Sequence, residues 1–151
     1  MKSIQHILIA GGAGFIGQNL VRSLLAWNKR IRITVIDSGD HETTRLLPVV
    51  SDRLACHKLD ILERESIRAL FAAHKFDALI NLAACAGVAD SITDPRANFE
   101  TNVVGHFTLL DLARTNGVYK FVFASTGGAI IGDGRPPLTE DMTPNPLSPY
   151  G

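Results

Sequence analysis

Several features that mark specialised protein classes are scarce in this sequence of 151 residues. Only two cysteines are present, Cys56 and Cys85, each within an apolar stretch, so we expect two buried, reduced thiols in a cytoplasmic protein. No apolar run approaches the roughly 20 residues of a membrane span, and we expect no signal peptide. Acidic and basic residues balance at 15 each, which favours neither nucleic acid nor a membrane as partner. The histidines show no metal-ligand spacing, so we expect no metal site.

A regular alternation of short apolar runs and longer amphipathic runs fills most of the chain. The apolar runs predict strands over 4–9, 31–36, 53–58, 78–82 and 119–124. The amphipathic runs predict helices over 15–28, 63–74 and 95–116. In the first helix, Ile16, Leu20 and Leu24 recur at every fourth position and, with Val21 and Leu25 beside them, predict one buried stripe. Strands that alternate with helices imply right-handed crossovers and an α/β fold with a doubly wound parallel sheet.

The sharpest motif is the glycine-rich segment that separates the first strand from the first helix, Gly11-Gly12-Ala13-Gly14-Phe15-Ile16-Gly17. Glycine lets the chain turn tightly and lets its backbone approach a pyrophosphate, which the helix N-terminus then stabilises. The last glycine would let the helix pack closely on the sheet. The segment predicts a dinucleotide site with contacts from Gly11, Gly14, Phe15, Ile16 and Gly17. The alternative is a glycine-rich turn that serves packing alone.

Two carboxylates follow the next two predicted strands. Asp37 lies 20 residues after Gly17, where it would accept hydrogen bonds from the adenosine ribose and repel a 2′-phosphate. This position favours NAD over NADP, although Arg45 in the following loop leaves NADP open. Asp60, with Ile61 beside it, takes the same relative place after the third strand and predicts an adenine contact. The alternatives are a turn former for Asp37 and a helix cap for Asp60.

Further motifs follow these signals in a fixed order: Asn81-Leu82-Ala83-Ala84, Val88-x-x-Ser91-x-x-x-Pro95, Asn102-Val103-Val104-Gly105, Ser125-Thr126 and Ser148-Pro149-Tyr150-Gly151. With the glycine spacing, they resemble the extended short-chain dehydrogenase/reductase family, in its nucleotide-sugar epimerase/dehydratase branch. The resemblance covers the whole chain. It implies a Rossmann-type fold with NAD as cofactor. It also implies that Leu82, Ala83, Ala84 and Thr101 contact the cofactor, whereas Asn102 is structural.

The resemblance also implies the catalytic groups. Ser125 or Thr126 would hydrogen-bond the sugar hydroxyl that is oxidised, and Tyr150 would be the base of a Tyr-x-x-x-Lys pair. A free tyrosine has a pKa of about 10, and a nearby lysine and the cationic nicotinamide ring would lower it by favouring the phenolate. The sequence ends at Gly151, so we expect that lysine and the substrate-binding segment to lie outside it. We therefore expect this chain alone to be inactive.

The resemblance predicts an NAD-dependent 4-epimerase of a UDP- or dTDP-hexose, whose full-length form is a homodimer. It implies that the pairing uses helix 95–116 and a helix expected after Tyr150, so we expect the dimer to be weakened in this chain alone. Gly127 and Gly128 stand where the dehydratase branch carries an Asp-Glu pair, which argues against dehydration. Ile131 replaces a tyrosine usual in the family. A dehydratase, decarboxylase or reductase of the same branch, and a non-catalytic NAD-binding or partner-docking module, are the alternatives.

The proline distribution predicts how the chain is divided. Five of the seven prolines lie between 136 and 149, which predicts a surface segment without regular structure after Gly132. We expect 1–132 to be an NAD-binding Rossmann domain, truncated before its last strands. We expect 133–151 to be a proline-rich loop that leads to the catalytic tyrosine.

Overall fold

A computed structural model describes residues 3–39 and 51–151 of the chain. Its centre is a parallel sheet of five strands with the order β3-β2-β1-β4-β5. The strands are β1 (His6–Ala10), β2 (Arg32–Asp37), β3 (Leu54–Lys58), β4 (Ala78–Asn81) and β5 (Lys120–Phe123). The direction of winding reverses between β1 and β4, and such a switch point opens a crevice at the carboxyl ends of the strands. The predicted doubly wound, Rossmann-type sheet is confirmed.

Helices connect the strands and cover both faces of the sheet. They are α1 (Phe15–Trp27), α2 (Arg64–Ala73), α3 (Val88–Thr93), α4 (Pro95–Phe99), α5 (His106–Thr115) and α6 (Gly128–Ile131). Between α4 and α5 the chain continues through a wide turn of π-helix, Glu100–Gly105, so the predicted helix over 95–116 is one unbroken helical run. The Asp94 side chain caps its start by accepting from the Ala97 N–H at 3.0 Å. Gly117, with φ +74°, ends it.

Alternate residues of the strands enter two separate cores. Leu8 and Ala10 of β1 belong to the core beneath α2 and α5, whereas Ile7 and Ile9 belong to the core beneath α1. All four residues are almost fully buried, as expected for a sheet with helices on both faces. The central strands are therefore held rigidly, and their carboxyl ends form a stable base for a site.

The predicted buried stripe of α1 is wrong at Ile16, whose side chain is 64% exposed. Val21 and Leu25 are buried as predicted, and Gly17 and Gln18 take the remaining buried positions. Gly17 lies against the backbone of the preceding turn, so the helix must present this residue to the sheet. Neighbouring helical residues differ by about 100°, and the position before Gly17 is consequently turned away from the core.

The predicted burial of the cysteines is also wrong. Cys56 and Cys85 are both free and exposed. Cys56 lies on β3, which forms one edge of the sheet, and Cys85 lies in the loop after β4. An apolar neighbourhood in sequence did not indicate burial because neither position faces a covering helix in the described part of the chain.

Outside the main elements, α3 and α6 were not predicted because six and four residues are too short for a helical periodicity to register. Residues 133–151 contain neither helix nor strand, as the proline content predicts. Arg45, which leaves NADP open, lies outside the described residues. No helix within 3–39 and 51–151 has the length and apolarity needed to cross a membrane.

Candidate functional site

Two adjoining clefts lie along the carboxyl edge of the sheet. The first, of about 320 Å³, lies beside the ends of β1, β2 and β3, and predicted cofactor residues line it: Gly11, Gly14, Asp37, Asp60, Ile61 and Thr101. Leu82 lines the first cleft as well, and Ala83 and Ala84 line both clefts. The second cleft, of about 540 Å³, contains Ser125, Thr126 and Tyr150. Except for Phe15, Ile16 and Gly17, the predicted cofactor and catalytic residues thus line two adjoining clefts that share Ala83 and Ala84, together called the groove.

The glycine turn is pressed between two strand ends. Gly11 has φ +74°, and its N–H donates to the Ile36 carbonyl at 2.9 Å. A Cβ at Gly11 would lie 2.6 Å from the Ala83 backbone nitrogen, which no side chain tolerates. A residue without a side chain is therefore required here by both conformation and space.

Gly14 and Gly17 differ in the reason for being glycine. A Cβ at Gly17 would come within 2.5 Å of the Gly11 carbonyl oxygen, so Gly17 serves the contact between α1 and the turn. A Cβ at Gly14 would only reach ordinary contact, at 3.4 Å from that oxygen. Internal packing therefore does not require glycine at Gly14, which faces the groove at the start of α1. The approach of an external group to the backbone would require it.

Phe15 and Ile16 line neither cleft, although both are predicted cofactor residues. Their side chains are exposed, at 86% and 64%, in the first turn of α1. No described side chain caps this helix start, and the turn contains no acidic residue. The backbone N–H groups at this end and the helix dipole consequently form a site suited to an anion.

Asp37 connects the end of β2 to the glycine turn. Its Oδ2 accepts from the Ala13 N–H at 3.0 Å, and its Oδ1 accepts from the Gly39 N–H at 3.0 Å. Each carboxylate oxygen has a second lone pair, which leaves capacity for ribose hydroxyls in the cleft. The turn-forming alternative and the cofactor prediction are thus compatible at this residue.

Asp60 and Ile61 lie at the far wall of the first cleft. Asp60 Oδ1 accepts from the Leu62 N–H at 2.9 Å, an interaction that shapes the turn before α2. The helix start at Glu63 has no side-chain cap, so the capping alternative for Asp60 is wrong. Ile61 is only 5% exposed and packs on Gly105, where a Cβ would lie 2.7 Å from the Ile61 Cδ1 atom. Its side chain is mainly a core residue, with little surface left for a ligand.

Two asparagines of the long helical run hold the loop after β4. Asn102 accepts from the Cys85 N–H at 2.9 Å and donates to the Cys85 carbonyl at 3.0 Å. Asn98 donates to the same carbonyl at 2.9 Å and accepts from Asn102 at 3.1 Å. The predicted structural role of Asn102 is therefore seen directly. These contacts fix the segment that forms the wall between the two clefts.

Asn81 holds the start of the same loop. This side chain is 1% exposed, its Oδ1 accepts from the Ala83 N–H at 3.1 Å, and its Nδ2 lies 3.1 Å from His106 Nδ1. Burial lowers the pKa of His106 below its ordinary value. The predicted site did not include Asn98 or His106, and no local signal marks them because their partners lie on another element.

The second cleft contains two hydroxyls and a phenol. Ser125 is exposed, whereas the Thr126 Oγ1 accepts from the Ala129 N–H at 3.4 Å at the start of α6. Tyr150 is half-buried, and its N–H donates to Ser91 Oγ at 3.2 Å. Ser91 is fully buried and donates to the Val88 carbonyl at 2.7 Å. Short helix α3 thus anchors the tyrosine backbone beside the groove.

Comparison with known proteins agrees with this architecture. The model of the NAD dependent epimerase/dehydratase family matches residues 7–151. The chain belongs to this family. A family relative, the UDP-glucose 4-epimerase of Neisseria meningitidis serogroup C, is 33% identical over 151 residues, which cover 98% of this chain and 44% of that protein.

Solved structures of the family show the same fold. The UDP-glucose 4-epimerase of Thermotoga maritima, solved with UDP-glucose, has a TM-score of 0.84 at 34% identity and is matched over 97% of this chain and 46% of its own. The UDP-glucose 4-epimerase of Thermus thermophilus, solved with NAD, has a TM-score of 0.84 at 35% identity, over 96% of this chain and 46% of its own. The chain therefore spans a little under half the length of these family members.

Alanine substitutions at Gly14 and Gly17 should differ in their effect on the stability of the fold. Gly17→Ala should lower the free energy of unfolding by about 2 kcal/mol, because the new methyl group meets backbone atoms that cannot yield easily. Gly14→Ala should change it by less than about 1 kcal/mol, because the space is open. Denaturant unfolding of both variants in the full-length protein measures the difference. Equal destabilisation by the two substitutions would contradict this account of the turn.

Proposed function

We propose that this chain is the NAD-binding part of a nucleotide-sugar 4-epimerase that acts on a UDP- or dTDP-hexose through transient oxidation at C4. The observation that carries the proposal is the groove, whose two adjoining clefts reach from the glycine turn to Tyr150. A dinucleotide is long enough to need both clefts, and only its nicotinamide end would meet the hydroxyls of the second. The family relatives named above support the same reaction.

The described residues fit NAD at several points. Gly14 and the uncapped start of α1 would receive the pyrophosphate, since internal packing does not require a glycine there. The free lone pairs of Asp37 would accept the hydroxyls of the adenosine ribose. Leu82, Ala83 and Thr101 would line the path toward the nicotinamide ribose. NAD supplies a hydride acceptor when it is bound.

Tyr150, Ser125 and Thr126 would perform the proton chemistry in the second cleft. Oxidation of a secondary alcohol requires a base to take the hydroxyl proton as hydride leaves carbon. The Tyr150 phenolate would accept that proton and return it when the sugar is reduced from its other face. Ser125 or Thr126 would hold the same hydroxyl in place. The Thr126 oxygen accepts from the Ala129 N–H, which leaves its O–H free to donate to the substrate oxygen.

The residues after Thr126 favour epimerisation over loss of water. Gly127 and Gly128 have only open space around them within the described chain, and neither carries an acid. A dehydratase needs a side chain that protonates the departing hydroxyl and a base that removes the proton at the neighbouring carbon. This position of the chain provides no such pair.

NAD binding should depend on Asp37. In the full-length protein, Asp37→Ala should weaken NAD roughly 10- to 100-fold, the value of charge-assisted hydrogen bonds, while NADP binding should suffer less. Calorimetric titration with both cofactors measures the ratio of their dissociation constants. Asp60→Ala is the matched control from the same cleft, because NAD and NADP share the adenine that Asp60 is predicted to contact, so this variant should leave the ratio unchanged. Loss of the turn alone would weaken both cofactors equally. An unchanged ratio would therefore argue against a ribose contact.

Epimerisation should depend on Tyr150. The full-length protein should interconvert the C4 configuration of UDP-glucose and UDP-galactose or their dTDP counterparts, as followed by NMR of the sugar. Tyr150→Phe should lower kcat about 10²- to 10⁴-fold, because the proton acceptor is lost while NAD affinity is retained. Ser125→Ala and Thr126→Ala would show which hydroxyl holds the sugar. NAD binding without turnover of any nucleotide-sugar would instead favour a non-catalytic NAD-binding module.

We also propose that the full-length form is a homodimer that pairs through the long helical run. Four large apolar side chains, called the apolar stripe, are exposed along it: Phe99, Val103, Phe107 and Leu110, of which Phe99 and Val103 also line the second cleft. Phe99 is 56% exposed and Phe107 is 64% exposed, an unusual surface for an isolated monomer. A two-fold pairing would bury the stripe of one helix against that of its partner.

A charge in the middle of this stripe should separate the subunits. Phe107→Glu should shift the full-length protein from dimer to monomer in sedimentation equilibrium, because burying an unpaired carboxylate in an apolar interface is unfavourable. Trp27→Glu is the matched control, since Trp27 is 77% exposed on α1, away from the stripe, and should leave the dimer intact. A wild type that is monomeric at all accessible concentrations would refute the pairing.

A further inference from the structure

Asn81 is a buried amide with two hydrogen-bond partners of different kinds. Its Oδ1 faces the backbone N–H of Ala83 at 3.1 Å, and a backbone N–H only donates. The oxygen must therefore be the atom on that side, which leaves Nδ2 toward His106 Nδ1, also at 3.1 Å. Since an amide nitrogen only donates, His106 Nδ1 must accept, and the ring must be neutral with its proton on Nε2.

We propose that neutral His106 is a positioning residue for the NAD groove, acting through the Asn81 amide on the backbone of Ala83. The inference rests on the proposed NAD binding. Ala83 lines both clefts, and its backbone nitrogen is the atom nearest to the position that a Cβ on Gly11 would take. A shift of Ala83 would move the wall between the clefts and the strand end against which the glycine turn is packed.

Protonation of His106 would break this arrangement in either orientation of the amide. With Asn81 as it stands, an N–H of the ring would face the amide NH₂ group, and two donors would oppose each other. If the amide rotated to accept from the ring, its NH₂ group would face the Ala83 N–H. One of the two hydrogen bonds is lost in both cases, inside a site where Asn81 has almost no contact with water.

The surroundings of His106 favour its neutral form. From β5, the rings of Phe121 and Phe123 contact the imidazole at centroid distances of 5.5 and 4.2 Å. From β4, its polar neighbour is the uncharged Asn81. On its own helical run, Glu100 and Asp111 are engaged by Arg96 and Arg114, and on α2 the exposed Glu65 pairs with Arg68. Burial is accordingly the cause of the lowered pKa of His106.

The sign of the pH effect follows from that direction. The pKa of His106 is lower in the folded chain than in the unfolded one. The hydrogen bonds that join neutral His106, Asn81 and Ala83 are therefore fully formed above the unfolded value of about 6.5 and are lost as the pH falls through the lower folded value. NAD affinity should therefore be constant at mildly alkaline pH and should decrease in mild acid. If His106 were only an apolar packing residue, NAD affinity would show no such decrease in acid, which we call the acid step.

The test is NAD titration of the full-length protein from about pH 8 to about pH 5 in three forms. Wild type should bind NAD about tenfold more weakly at the acid end, the effect expected for one lost buried hydrogen bond. His106→Asn places an amide oxygen where Nδ1 stood and should keep the affinity while removing the acid step. His106→Leu removes the acceptor and should bind about tenfold more weakly than wild type at the alkaline end.

His6→Asn is the matched control. His6 is also buried, its Nε2 lies 2.9 Å from Thr34 Oγ1, and burial first of all lowers its pKa, but it lies at the opposite end of β1 from the groove. Removing it should leave the acid step in NAD affinity unchanged. An acid step that survives in His106→Asn, or a His106→Leu variant that binds NAD as wild type does, would overturn the proposal.

A readout without cofactor separates this inference from the proposed function. Nitrogen NMR of the imidazole should show an unprotonated Nδ1 at neutral pH. The protection factor of the Ala83 amide against hydrogen exchange, which corrects for the pH dependence of the intrinsic rate, should fall in acid in wild type but not in His106→Asn. If wild type shows this pattern but binds no NAD at any pH, the result would refute the proposed function and support the role of His106 in positioning Ala83. A protonated Nδ1 at neutral pH would overturn the proposed role of His106 even if the protein binds NAD.

Discussion

The close approach of Gly11 to the end of β4 governs the site. The two backbones meet where the sheet changes its direction of winding, and a single methyl group at Gly11 would collide with the nitrogen of Ala83. Both the turn that begins α1 and the loop that follows β4 must adapt to that contact. Gly17 adds a second close contact, because α1 packs at Gly17 against the backbone of the same turn. The groove is the space that remains above these packed backbones.

Polar side chains at the strand ends and on the long helical run secure this arrangement. Asp37 holds the glycine turn, and Asn81, Asn98 and Asn102 hold the loop after β4, in each case through backbone groups that a loop would otherwise leave unsatisfied. Amides suit the task because one side chain both donates and accepts. The walls of the groove are consequently set before any ligand enters, which is the condition for binding without a large ordering penalty.

The sequence predicted those features whose cause is local. The positions of the glycine turn and Asp37 depend on neighbouring residues and on strand periodicity, and Gly11, Gly14 and Asp37 line the first cleft. That they bind NAD stays a prediction. The error at Ile16 has a tertiary cause, since the contact at Gly17 sets the rotation of α1. His106 was missed for a similar reason: its contact with Asn81 depends on how the long helical run docks on β4. The roles of Ser125, Thr126 and Tyr150 stay predictions.

The wide π turn at Glu100–Gly105 has a geometric consequence for the residues on either side of it. In a regular α-helix, residues eight apart differ in direction by about 80°, so Asn98 and His106 would diverge. A π turn accommodates an extra residue and thus rotates the chain less at each step. The turn therefore changes the rotation of the second half of the helical run relative to the first. Asn98 in the first half can then hydrogen-bond Cys85 while His106 in the second half hydrogen-bonds Asn81. A uniformly wound helix would have to give up one of these two partners.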